Sequence, residues 1–393
     1  MDKKLKTLVE RVCPEVIELR HRLHRNPELA GEEYQTAALI RKTLAGTRIR
    51  ALKPFLKTDV VAILKGRKPG RNVTLRADID ALPLVEKSGL PYASKNPGCM
   101  HACGHDGHTA ILLGVAKVLE QFTDEWSGTI RFVFQPGEEV AALGKDLVAS
   151  GALKDPRPDM IFALHGWPGI SEGVIHSRTG IFMAASGFFK LVIQGKGAHG
   201  SRPDLAIDPI LVGTRIVEAF AALAREVSPF ESATLSICRF HGGNNSNVIP
   251  DTVEIEGTVR YLDKNMGGKL VARMKQLAQG LCSSMGATCH FIYTEPYIPL
   301  VNHGRAVALG QRVTERLLGK AQWQAAQNPS MGGEDFAFYL KHHYGAMFHL
   351  GLGEKACGLH NPHFDFNDRV IRNGILLLAG CTLEVLGEAR TDP

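Results

Sequence analysis

The chain has 393 residues, 44% of them apolar and 22% charged, with a formal charge of +6. That length exceeds what one hydrophobic core usually supports and predicts two domains. The basic residues are scattered rather than set in a stripe with interleaved aromatics, which argues against a nucleic-acid binder, and no segment approaches the ~18–20 uninterrupted apolar residues of a membrane span.

Leu5, Leu8, Val9, Val12, Val16, Leu19 and Leu23 fall on one face of an amphipathic helix over 5–23, which ends near Asn26-Pro27 because a residue before proline is pushed out of helical geometry. The first residues, MDKKLKTLVERVCPEV, hold no continuous apolar stretch, so a secretory signal is not expected. Eight dispersed cysteines then read as reduced thiols, and the expected location is cytoplasmic. A second helix is predicted over 33–44. Strands follow at 60–64, 73–79, 129–134 and 160–164, separated by helical material. That alternation predicts an α/β domain with a mostly parallel sheet covered by helices on both faces.

The ends of these strands carry polar residues. The strand at 73 runs into Asp78 and Asp80, the one at 129 into Gln135-Pro-Gly-Glu138-Glu139, and the one at 160 into His165. The C-terminal edge of an open α/β sheet is where ligands bind. Between them lies M-H-A-C-G-H-D-G-H-T (100–109), followed by Ile111, Leu112, Val115, Val118 and Leu119 at helical spacing. The cluster therefore sits in a loop at a helix entrance, where backbone N–H groups are free. Cys103 and His105 alternate around one glycine, and a thiolate with an imidazole suits a borderline divalent metal; the alternative is a buried free thiol beside solvent-facing histidines. Glu138-Glu139 is either a solvated acidic pair or a metal ligand beside a general base, and delivery from a buried strand favours the second.

From about residue 187 the texture changes. A strand at 187–194, a helix at 209–227, strands at 234–240 and 253–262, a helix at 270–285 and a strand at 287–294 give the β-α-β-β-α-β order of a ferredoxin-like unit. It reads as an inserted α+β domain over 181–295, with 1–180 and 296–393 forming the catalytic domain. A helix at 304–318, a strand near Phe348 and a closing apolar helix at 370–386 complete the chain. His199, in G-K-G-A-H (195–199), and His360, beside Asn361-Pro362, remain unassigned on local pattern alone.

R-A-D-I-D-A-L-P (76–83), H-A-C-G-H-D-G-H (101–108), Q-P-G-E-E (135–139), A-L-H (163–165), G-K-G-A-H (195–199), N-V-I-P (247–250), G-T-V-R (257–260) and G-G-E-D-F (332–336) stand in family order, with H-R-N-P-E (24–28). Together they make the chain resemble the amidohydrolase branch of the aminoacylase and carboxypeptidase type of dinuclear metallopeptidases, which includes hippurate hydrolases, N-acyl-amino-acid amidohydrolases and auxin–amino-acid conjugate hydrolases. The resemblance implies two divalent ions (zinc, manganese, cobalt or nickel) held by Cys103, His105, Glu139, His165 and His360. It implies Glu138 as general acid/base, Asp80 orienting a ligand, His199 steadying the oxyanion, and Asn247 and Arg260 holding the substrate carboxylate. His101, Asp106 and His108 become residues that orient ligands. Gly137, where relatives commonly have alanine, is a departure expected to matter little. The implied substrate is a small N-acyl-amino acid, or alternatively a short peptide cut by a carboxypeptidase or dipeptidase. The inserted domain is implied to act as a lid and to join a homodimer or higher oligomer. Two rival readings remain: a cysteine hydrolase with Cys103 as nucleophile, which leaves Glu139, His165 and His360 unexplained, and a binding protein that has lost catalysis, which would be expected to have lost Glu138 or a ligand.

Overall fold

The computed structural model describes residues 1–225 and 233–387. The chain divides into two compact units: Met1–Phe182, Val301–Asn328 and Asp335–Pro393 form the first, Met183–Leu300 and Pro329–Glu334 the second. Compared with the 181–295 read from sequence, the second unit begins two residues later, runs on to Leu300 and takes in Pro329–Glu334. The G-G-E-D-F motif is thereby split between Glu334 and Asp335.

The first unit is built on an eight-stranded sheet ordered Arg50–Ala51, Val60–Lys65, Thr129–Gln135, Asn72–Asp78, Met160–Pro168, Gly345–Gly353, Ile175–Ser177, Trp323–Ala325. The four middle strands, from Thr129–Gln135 to Gly345–Gly353, pair in parallel. Their residues are almost continuously buried, as expected where helices cover both faces. The Arg50–Ala51, Ile175–Ser177 and Trp323–Ala325 strands are two or three residues long, too short to leave a period in the sequence. The opening helix, Asp2–Arg25, buries Leu5, Leu8, Val9, Val16 and Leu23 and continues through Pro14. Helix His105–Glu120 is apolar nearly all round and is a core helix, packed against the opening helix and the closing one. The segment Asp368–Gly387 is long and apolar enough to cross a membrane, but 78% of its most apolar window is buried in the protein. Ile375, Leu376, Leu377, Leu378 and Val385 are core residues there.

The second unit has the element order β-α-β-β-α-β, with an antiparallel sheet ordered Ala233–Gly242, Thr252–Tyr261, Ala185–Gln194, Thr288–Tyr297. Burial alternates along Thr252–Tyr261. Phe189, Leu191, Ile193, Val253, Ile255 and Val259 pack in one core with Val212, Ile216, Phe220, Leu270 and Met274 of helices Pro209–Arg225 and Lys264–Ser284. This is the ferredoxin-like arrangement expected from sequence. Helix Pro209–Arg225 carries the 209–227 pattern; Glu226 and Val227 lie outside the described residues. Asp263 starts the other helix two turns before the apolar pattern at Leu270, its carboxylate accepting from the Met266 N–H at 2.8 Å.

Candidate metal centre

Parallel pairing brings the ends of three strands to one edge of the sheet. Asn72–Asp78 ends in Asp78 with Asp80 just beyond, Met160–Pro168 carries His165, and Thr129–Gln135 leads through Pro136-Gly137 to Glu138 and Glu139. Two left-handed glycines make the approach turns. Gly104, at φ +87, starts the helix that begins with His105, and Gly137, at φ +62, starts the short helix holding both glutamates. At that φ glycine is the least strained residue, and a Cβ on Gly137 would also meet Leu143 Cδ1 at 2.5 Å, so an alanine here would need the Leu143 side chain to shift. His360 arrives from the segment after Gly345–Gly353, tied by its N–H to the Ala102 carbonyl at 2.8 Å. Its φ of +62 is uncommon for a side chain other than glycine.

The five expected ligands converge. Donor atoms of Cys103, Glu139 and His360 lie within 4.8 Å of one another, as do those of His105, Glu138 and Glu139. Cys103 Sγ is 3.4 Å from His165 Nε2, and Glu139 Oε1 is 3.2 Å from His360 Nε2 and 3.8 Å from His105 Nε2. His105 Nδ1 is 3.0 Å from the Asp80 carbonyl and 3.2 Å from its Oδ1, while the Glu139 N–H donates to Asp80 Oδ2 at 3.0 Å. His165 Nδ1 donates to the Gly166 carbonyl at 2.8 Å, which leaves its Nε2 lone pair facing Cys103. His105 Nε2 is buried with no hydrogen-bond partner. Ring nitrogens held on one side and open on the other are what a metal-binding histidine requires.

Charge favours a cation here. Burial pushes the Cys103 thiol far up, and Glu139 and Glu138 push it further. Burial would lower His105, but Asp78, Asp80 and Glu139 raise it to about 10, which marks the excess of negative charge around the ring. Burial, with His108, holds His165 well below its ordinary value and therefore neutral, as a ligand must be. The same shifts disfavour the thiolate–imidazolium pair that a Cys103 nucleophile would need. A thiol, three imidazoles and carboxylates suit a divalent transition metal, so the residues fit such an ion.

His199, Asn247 and Arg260 belong to the second unit. His199 pairs with Val248 across a two-stranded ladder, the Gly200 N–H donates to the Asn247 carbonyl at 2.7 Å, and His199 and Asn247 are both exposed. His199 Nδ1 lies 2.8 Å from Ser201 Oγ. Arg260, on strand Thr252–Tyr261, donates from one guanidinium nitrogen to the Met331 carbonyl at 2.9 Å. Two of the three are thus brought together, and Arg260 stands on a separate strand.

The sequence reading names Asp106 among the supports of this centre but gives no role to its partners Arg20 and His24, or to Glu33. Asp106 Oδ2 lies 2.8 Å from both Arg20 Nε and His24 Nδ1; Arg20 also reaches Asp365 and Asp368. Glu33 accepts from the N–H groups of Gly31 and Gly137 at 2.9 Å and from the Thr58 hydroxyl at 2.6 Å, which fixes the turn before Glu138. The available signal was charged residues inside otherwise apolar helical stripes, such as Arg20 between Val16 and Leu23.

The profile of peptidase family M20/M25/M40 matches residues 74–384. The chain is 36% identical over 381 residues to thermostable carboxypeptidase 2 of Saccharolobus solfataricus, across 95% of this chain and 96% of that one. It is 38% identical over 359 residues to N-acetylcysteine deacetylase of Bacillus subtilis, across 91% and 93%. Its structure is similar to that of the Bacillus subtilis YXEP protein, described as a dinuclear metal binding peptidase of family M20, with a TM-score of 0.82 and 34% identity over 96% and 99% of the two chains. The chain belongs to peptidase family M20/M25/M40 and is a hydrolase of amide bonds.

Proposed function

We propose that this family member cleaves small N-acyl-amino acids to an acid and an amino acid, at two divalent ions held by Cys103, His105, Glu139, His165 and His360. The observation that carries the reading is the convergence of these five donors around a buried, unpartnered His105 Nε2. The N-acyl substrate class is supported by the likeness to N-acetylcysteine deacetylase.

Two such ions, held there, would supply Lewis-acid polarisation of the scissile carbonyl and a lowered pKa for water. Glu138, enclosed beside His105 and Glu139, takes the proton of the attacking water and returns it to the leaving amine. Asp80 orients His105 and holds the Glu139 backbone. We assign His199 to the developing oxyanion and Asn247 and Arg260 to the substrate carboxylate, the last through charge-assisted hydrogen bonds. The second unit is assigned the roles of lid and homodimer contact. We place the enzyme in the cytoplasm, in keeping with eight free thiols.

The deciding experiment is a hydrolysis screen of N-acetyl- and N-benzoyl-amino acids and dipeptides with Zn²⁺, Mn²⁺, Co²⁺ or Ni²⁺ after chelation. Activity lost to chelator and restored by one ion, greatest on N-acyl substrates, is expected. Full activity in the chelated protein would overturn the metal assignment. Greatest activity on dipeptides would favour the second reading, a carboxypeptidase or dipeptidase, which the likeness to thermostable carboxypeptidase 2 supports. Cys103→Ser is expected to lower metal retention through dialysis, measured by elemental analysis.

A further inference from the structure

Asp78, His105, His108 and His165 also bring donor atoms within 4.8 Å of one another, all buried, and by composition they could hold an ion. We infer that His108 is not a ligand: with Asp78 it forms the end of a hydrogen-bonded brace that fixes the backbone carrying His165, with His108 locked as the neutral imidazole bearing its proton on Nδ1. The inference rests on the metal assignment proposed above and divides the clustered donors into those that bind and those that position.

Both nitrogens of His108 are engaged. The Gly166 N–H points at His108 Nε2 over 2.7 Å. A backbone N–H can only donate, so Nε2 carries the lone pair and the ring proton is on Nδ1. That nitrogen lies 2.6 Å from Asp78 Oδ1, to which it donates. Asp78 Oδ2 accepts from Arg76 at 2.7 Å, and another nitrogen of the same guanidinium donates to Asp335 Oδ1 at 2.8 Å. Asp335 also accepts from Gln135 Nε2, at 2.9 and 2.7 Å, and from the Gly144 N–H at 2.7 Å. The line therefore runs from Asp335 through Arg76, Asp78 and His108 to the Gly166 backbone, every side chain in it fully enclosed.

Gly166 is held from both sides. Its N–H goes to His108, and its carbonyl accepts from His165 Nδ1. Ring and backbone of the expected ligand are thus set by one residue, and the second support comes from His108. To coordinate through Nε2, His108 would have to orphan the buried Gly166 N–H; to coordinate through Nδ1, it would have to give up Asp78. His105 and His165 face no such conflict, because each keeps an Nε2 outside such a brace. His108 is a positioning residue, and R-A-D, Q-P-G and G-G-E-D each contribute one or more members of the support behind it.

The test is NMR of histidine-¹⁵N-labelled protein, metal-free and loaded with ¹¹³Cd²⁺. In both states His108 should show an unprotonated Nε2 and a low-field proton on Nδ1. Scalar coupling to ¹¹³Cd should appear at His105, His165 and His360 and be absent at His108. A proton on His108 Nε2, or coupling at either of its nitrogens, overturns the inference. Absence of coupling at every histidine would instead overturn the metal assignment, while the metal-free spectrum still decides the tautomer. His108→Asn, which retains a donor for Asp78, should bind the same number of ions at saturating Cd²⁺. Its kcat with Mn²⁺ should fall about 10–100-fold with KM little changed. One ion fewer per chain at saturation also overturns it.

Discussion

In the first unit Arg20, Arg76, Asp78, Asp106 and Asp335 are enclosed and hold one another, whereas in the second Lys190, Arg239, Glu254 and Glu256 lie across an open sheet face. Lys190 reaches Glu254 at 2.9 Å and Glu256 at 3.3 Å, and Arg239 reaches Glu256 at 3.2 Å, distances as short as many in the buried set. The geometry is similar and the consequence is not. Water screens the surface ladder and competes for each of its groups, so the pairs add little to stability. A buried charge has no such substitute, and every partner it keeps is one it needs. Interatomic distance alone would rank these two regions together; burial separates them.

The sharpest break in the comparison comes from Glu138, whose carboxylate lies within 4.8 Å of that of Asp335 and is assigned chemistry rather than support. Glu138→Gln is expected to lower kcat by roughly 10²–10⁴-fold with metal content by elemental analysis unchanged; near-normal turnover would remove Glu138 from the chemistry. Next comes Arg20→Met, which strips Asp106 of one of its two partners. It should cost roughly 3–5 kcal/mol in denaturant unfolding, and adding Asp106→Leu should recover part of that loss.

A smaller, pH-dependent effect belongs to His24. Burial would lower it, but Asp106 and Glu86 raise it from 6.5 to about 9. A raised folded-state value stabilises the fold fully below pH 6.5, and that contribution is lost as the pH climbs through about 9. The Tm should therefore drop more steeply between those values than it does in His24→Gln, and equal slopes would contradict the assignment. The smallest change is expected from Lys190→Met, which should leave the Tm where it was; a marked drop would show that the surface ladder is not screened.

Much of the fold was legible because it rests on local periodicity. Leu5 to Leu23 announced the opening helix, and the apolar runs before Asp78, Gln135 and His165 announced three strands whose ends matter. The proposed ligands were named through the family resemblance rather than through local pattern, down to His360, whose local context says nothing. What escaped were pairings over long separations. Arg76 and Asp335 are 259 residues apart and Arg20 and Asp365 are 345 apart, and neither spacing leaves a trace in a window of helix or strand length. The passage of Pro329–Glu334 into the second unit escaped for the same reason, since its partners, such as Ala184 for the Ser330 and Gly332 carbonyls, lie far back in the chain.

The order of strands in the large sheet has a consequence for synthesis. Met160–Pro168 pairs on one side with Asn72–Asp78 and on the other with Gly345–Gly353. On the ribosome, the first neighbour is made early and the second only after the whole of Met183–Leu300 has emerged. At ~5–20 residues per second the nascent chain holds an unpaired, apolar strand edge for on the order of ten seconds or more. During that interval the ferredoxin-like unit can complete its own sheet, and a chaperone that shields the open edge gives the late strand time to arrive before another nascent chain does.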